Sequence, residues 1–166
     1  MDDYGKRARK TAYLGLLTSL ALIVSYVEFL IPIPMGIPGV KPGLANLVIV
    51  WALYTMKPGE ALLVNIMRIL LAGFLFGNLS MILYSVAGAL TSFLAMYLVK
   101  KSGLLNVIGV SIVGGILHNM GQLALAAAVL ETSSLVYYAP VLVGAGAVTG
   151  FLIGAVSQEV LRRVPV

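Results

Sequence analysis

Between Thr11 and Val99 the sequence carries charged side chains at only five positions: Glu28, Lys41, Lys57, Glu60 and Arg68. From Ser102 to Leu161 it carries two more, Glu131 and Glu159. Apolar stretches of this length cannot be clothed in polar surface, and they mark helices that cross a bilayer. Six segments are read: residues 8–30, 42–56, 58–76, 79–99, 104–130 and 135–161. The second is short for a span. It can cross if flanking protein covers its ends or if the bilayer thins locally. The expected fold is therefore all-α, a polytopic bundle of six transmembrane helices forming one integral membrane domain over residues 1–166.

Composition agrees. Of 166 residues, 60% are hydrophobic and only 10% charged, where a soluble domain carries roughly a quarter charged. The basic balance, with a pI near 9.6, is read as membrane topology and not as affinity for nucleic acid. Lys6, Arg7, Arg9 and Lys10 precede the first helix, Lys57 sits in the second-to-third turn, Lys100 and Lys101 in the fourth-to-fifth, and Arg162 and Arg163 follow the last. Six crossings put all of these on one side and leave Lys41 on the other. By the positive-inside rule both termini are cytoplasmic, in a multi-pass protein of the cytoplasmic membrane. No signal peptide is evident, and the chain has no cysteine.

The segment 31–42 holds Pro32, Pro34, Pro38 and Pro42. Proline fixes φ and removes an amide donor, so this stretch is not helical. It reads either as a rigid connector or as a lid over an outward-facing pocket.

Polar groups inside the apolar segments are the informative ones. Arg68 falls near the middle of the third helix, where an arginine costs about 2.5–3.5 kcal/mol on insertion scales. Such a residue usually faces a bundle interior and marks a site. Ala61, Asn65, Arg68 and Ala72 recur at helical spacing, so Asn65 and Arg68 share a face with small residues. Arg68 is then either an ion-pair partner of Glu28 or a fork of donors awaiting an anionic ligand group. In the fifth segment His118, Asn119 and Gln122 lie on one stripe with Ser111 and Gly115. Asn46, Tyr84 and Ser85 fall at similar depth on their helices. Tyr84 and Tyr26 serve equally as interfacial aromatics, and Tyr137 and Tyr138 more simply so. The expected substrate-binding set is Asn46, Arg68, Tyr84, His118, Asn119 and Gln122, with Glu28–Arg68 as a possible ion pair.

Small residues mark packing faces: Gly146, Gly150 and Gly154 in the last helix, Gly73 with Gly77, and Thr11, Gly15 and Ser19 on the first. That first-helix stripe can serve an internal neighbour or an external partner.

Catalysis by this chain alone is not expected. It has no phosphate-binding glycine loop with its lysine, and its only aspartates are Asp2 and Asp3. Prenyl transfer needs clustered aspartates to hold magnesium on a diphosphate. A single histidine without cysteine makes no zinc or haem site. No metal and no cofactor are expected.

Three stretches carry a resemblance: residues 11–28 leading into Ile31-Pro32-Ile33-Pro34, the run Lys41-Pro42-Gly43-Leu44-Ala45-Asn46, and Gly109-Val110-Ser111 through His118-Asn119-Met120-Gly121-Gln122. With Leu83-Tyr84-Ser85 and Gly88, they resemble the membrane family labelled Gx transporter or heptaprenyl diphosphate synthase component I. That family is in turn similar to the substrate-binding S components of energy-coupling factor (ECF) transporters. The resemblance implies a subunit that captures a small molecule from the extracellular side, and Arg68 suits that molecule to being anionic. The subunit would work with a transmembrane coupling subunit and ATPases, docking through the first-helix positions Thr11, Gly15 and Ser19. The alternative is a non-catalytic membrane component associated with a soluble polyprenyl (heptaprenyl) diphosphate synthase in isoprenoid or quinone biosynthesis.

Overall fold

Prolines and glycines punctuate the chain where its helices stop and start. The computed structural model describes residues 3–30 and 43–164. Six α-helices form: α1 (Asp3–Leu30), α2 (Asn46–Thr55), α3 (Pro58–Phe76), α4 (Leu79–Ser102), α5 (Val107–Val129) and α6 (Ala139–Arg163), the last preceded by a 3-10 turn at Ser133–Tyr138. The segment 31–42, expected as connector or lid, lies outside the described residues, as does Lys41.

Local chemistry sets the breaks. Pro58 opens α3, where its missing N–H costs nothing. The Asn78 side chain accepts from the Met81 amide at 2.8 Å and starts α4. Asn106 does the same for α5 through the Gly109 amide at 2.9 Å. Gly103, at φ +69°, ends α4 in the left-handed conformation that glycine adopts without strain.

Five of the helical stretches are long and apolar enough to cross a membrane, so this is a polytopic membrane protein; α2 is not one of them. The second segment, expected to be short over residues 42–56, is shorter still. Ten residues make about 15 Å of helix, half of a hydrocarbon core of about 30 Å. The physical reason lies just upstream. Gly43, at φ +70°, begins a turn in which the Asn46 amide bonds Gly43 O at 2.8 Å, so helix starts only at Asn46.

The chain nevertheless crosses the bundle in this region. Lys10 of α1 pairs with Glu60 at the start of α3, so α1 and α3 begin on the same face. Glu28, near the far end of α1, accepts from the Gly43 amide at 2.5 Å. Eighteen helical residues, about 27 Å, separate Lys10 from Glu28. The segment from Gly43 to Glu60 spans that depth with a turn, a short helix and an extended link at Met56 and Lys57. Protein surrounds it: Val48, Ile49, Val50, Ala52 and Leu53 are all buried.

Both ends of α2 meet opposite charge. Glu28 sits at its N-terminal turn. At its C-terminal end Lys100 donates to Leu53 O at 2.6 Å and lies 4.8 Å from the centre of the Tyr54 ring. This placement complements the helix dipole. It also brings the C-terminal end of α4 to the face where α1 and α3 begin.

Glycines set the α5–α6 contact. A Cβ on Gly146 would sit 2.6 Å from Gly115 O, one on Gly150 2.6 Å from Ser111 O, and one on Gly154 2.8 Å from Ile108 Cα. The two backbones therefore touch along an antiparallel seam, and α6 ends on the face where α5 begins. The N-terminal end of α1 and the C-terminal end of α6 thus share one face of the bundle. The core centres on Ile49, Leu53, Val64 and Val110, with Leu17, Phe93, Met96 and Ile153 around them.

Candidate ligand-binding site

A cavity of about 400 Å³ opens inside the bundle on the far side of this core. Asn46, Arg68, Tyr84, His118, Asn119 and Gln122, singled out from sequence, all line it, and so do Glu28 and Ser85.

All six helices contribute polar groups to its lining. Arg68 projects from α3, whose Ala61, Asn65 and Ala72 are buried against protein. Its guanidinium donates to Asn65 Oδ1 at 2.8 Å, to Asn46 Oδ1 of α2 at 3.4 Å and to Ser25 Oγ of α1 at 3.5 Å. All three acceptors are neutral. The possible ion pair with Glu28 does not form. Lys10 pairs with Glu60, and Arg163 with Glu159. Glu28 instead directs one carboxylate oxygen at Gly43. Glu28 and Arg68 thus hold the same turn, residues 43–46, from two sides. Arg68 Nε is buried and finds no partner among the described residues. A guanidinium satisfied only by neutral groups and retaining an unused donor is suited to receive an anion.

On α5, Gln122 Nε2 and His118 Nε2 lie 3.2 Å apart. An amide nitrogen can only donate, so His118 accepts there, as the neutral tautomer protonated at Nδ1. Asn119 donates to Leu142 O of α6 at 2.8 Å. Gly88 of α4 lets this stretch approach: a Cβ there would sit 2.9 Å from His118 O and from Gln122 Cγ. The rest of the lining is largely apolar, with Phe29, Phe76, Ile82 and Leu123.

Sequence reading left Ser25 out of the site. Its separation of three residues from Glu28 puts both on one side of α1, which was the available signal. Asn65 was placed on the right face but not in the site, although it makes the shortest bond to Arg68. Tyr26 is exposed and packs its ring 5.3 Å from that of Phe76, while Tyr137 and Tyr138 are exposed.

Thr11, Gly15 and Ser19 are all exposed on α1, and a Cβ on Gly15 would meet nothing within 4 Å. Among the described residues nothing packs closely on the stripe at Gly15.

A family model described as heptaprenyl diphosphate synthase component I matches residues 17–160. No curated protein and no solved structure matches the chain.

Proposed function

Because the chain belongs to the heptaprenyl diphosphate synthase component I family, we propose that it is a non-catalytic membrane component working with a polyprenyl diphosphate synthase in isoprenoid or quinone biosynthesis. The family assignment is the observation that carries this reading. The distribution of carboxylates supports it. Prenyl transfer uses magnesium held by clustered acids, and among the described residues no group of three or more His, Asp or Glu could share a metal ion. The chemistry is assigned to a soluble partner. This subunit gives that partner a seat on the membrane and contributes the Arg68 cavity as a ligand site, with both termini in the cytoplasm.

One observation favours a second reading, capture of a small molecule from outside by a subunit like the S components of ECF transporters. The exposed stripe Thr11, Gly15 and Ser19 is open for a partner helix. A single experiment separates the two. The tagged protein is purified from its native membrane in mild detergent, and its companions are identified. A soluble aspartate-rich prenyl synthase supports the first reading, and a membrane coupling subunit with ATPases supports the second. Gly15→Leu should abolish the second complex without loss of folding, since a Cβ at that position meets none of the described residues within 4 Å. A preparation that brings down neither partner would refute both.

A further inference from the structure

The cavity has a charge balance that restricts what it can hold. Its charged lining among the described residues is one cation, Arg68, and one carboxylate, Glu28. His118 is neutral, because it accepts from the Gln122 amide. Formal charge among the described lining residues therefore sums to zero. Arg68 has a buried Nε without a partner and three neutral neighbours, so a single negative charge would complete it. A second or third negative charge would meet no further cation among the described residues, and would face Glu28 in surroundings that screen poorly. Diphosphates carry such excess charge and are ordinarily matched by several cations or by metal ions.

Size points the same way. A cavity of 150 Å³ accommodates a benzene ring. In proportion, about 400 Å³ takes roughly 16 non-hydrogen atoms. A heptaprenyl chain, with seven five-carbon units, has more than twice that many, so most of it would lie outside the cavity. We infer that the cavity takes a compact molecule whose head carries one negative charge, a carboxylate against Arg68, and that it does not take the diphosphate of a long prenyl chain.

This inference rests on the reading of the cavity as a ligand site and gives that ligand a chemical class. Two probes with matched terpenoid tails test it: geranate, a carboxylate, and geranyl diphosphate. Binding is measured by thermal stabilisation of the full chain in lipid nanodiscs. Geranate should bind the wild type at least about tenfold more tightly than geranyl diphosphate. Glu28→Gln keeps an oxygen for the Gly43 amide, so the turn should survive. It leaves the cavity with a net positive charge, and should improve geranyl diphosphate binding by about tenfold or more while leaving geranate within about threefold. Arg68→Met should abolish the response to geranate. Tighter binding of geranyl diphosphate to the wild type, lost in Arg68→Met, would overturn the inference and leave the cavity as the ligand site. Geranate binding unaffected by Arg68→Met, or no binding of either probe, would overturn the inference and count against the cavity as well.

Discussion

Replacing Arg68 by methionine separates a ligand-binding role from a structural one. Consider stability first. The substitution removes a guanidinium from the membrane interior, a relief of about 2.5–3.5 kcal/mol on insertion scales. It orphans Asn65 Oδ1, which held the shortest bond at 2.8 Å in a residue only 3% exposed; a buried acceptor left unmade costs about 1–3 kcal/mol. The contacts to Asn46 and Ser25, at 3.4 and 3.5 Å, are long and add little. Methionine keeps much of the volume and adapts its shape. These terms oppose one another, so the variant should unfold within about 2 kcal/mol of the wild type. Binding has no such compensation. Removing the partner of a buried charge costs about 2–5 kcal/mol, or roughly 30- to 5,000-fold in affinity. The assay is denaturant unfolding in micelles alongside mass-spectrometric measurement of small molecules retained through purification. A variant that loses more than about 4 kcal/mol of stability while retaining wild-type ligand would refute the reasoning and make Arg68 a structural strut.

Other outcomes follow from the same geometry. Lys100→Met should destabilise by about 1–3 kcal/mol, through loss of the bond to Leu53 O and the contact with Tyr54, whereas the exposed Lys101→Met should change stability by less than about 0.5 kcal/mol; thermal melts of the pair check this. Gly150→Ala should cost about 1–3 kcal/mol because its Cβ would press on the backbone at Ser111 and Ile112. Gly144→Ala, with nothing within 4 Å of the new methyl, should be neutral or slightly stabilising in the same melts. Single cysteines at Ser102 and Ser133 should react with an impermeant maleimide from opposite sides of the membrane, Ser133 from outside; labelling of both from outside would exclude six crossings.

The fold was legible in this sequence wherever punctuation was strong. Pro58 and Gly77 bracket α3, Asn78 and Gly103 bracket α4, and the low charge between them allows only lipid or protein as neighbours. The length of α2 was not legible, because hydropathy cannot distinguish a helix that faces lipid from one sheathed by protein. Residues 44–56 are equally apolar in either case, and the left-handed Gly43 that delays the helix is visible only in the backbone. Of the cavity, the residues that are costly in hydrocarbon announced themselves: Arg68, His118, Asn119 and Gln122. Ser25 did not, since a serine in an apolar helix can satisfy its hydroxyl on the preceding turn, as Ser25 also does on Ala21 O at 2.9 Å. The Glu28–Arg68 pairing, reasonable from depth alone, gives way to the competing amide of Gly43.

The shortness of α2 bears on how the protein is made. A ten-residue helix that runs from a tight turn into extended backbone cannot rest in lipid alone, because its end groups would be left without partners. Its N-terminal charge comes from α1, already synthesised, but its C-terminal partner Lys100 emerges only after all of α3 and most of α4. During biosynthesis, residues 43–57 must therefore wait, in water or at the membrane surface, for a helix that does not yet exist. The crossing they make is a late event, completed by assembly of the bundle and not by insertion of a segment. Chains truncated after Gly77 should leave an engineered cysteine at Leu53 open to aqueous reagents, with protection appearing only when α4 is included; protection in the shorter chain would show that α1 and α3 suffice to draw it in.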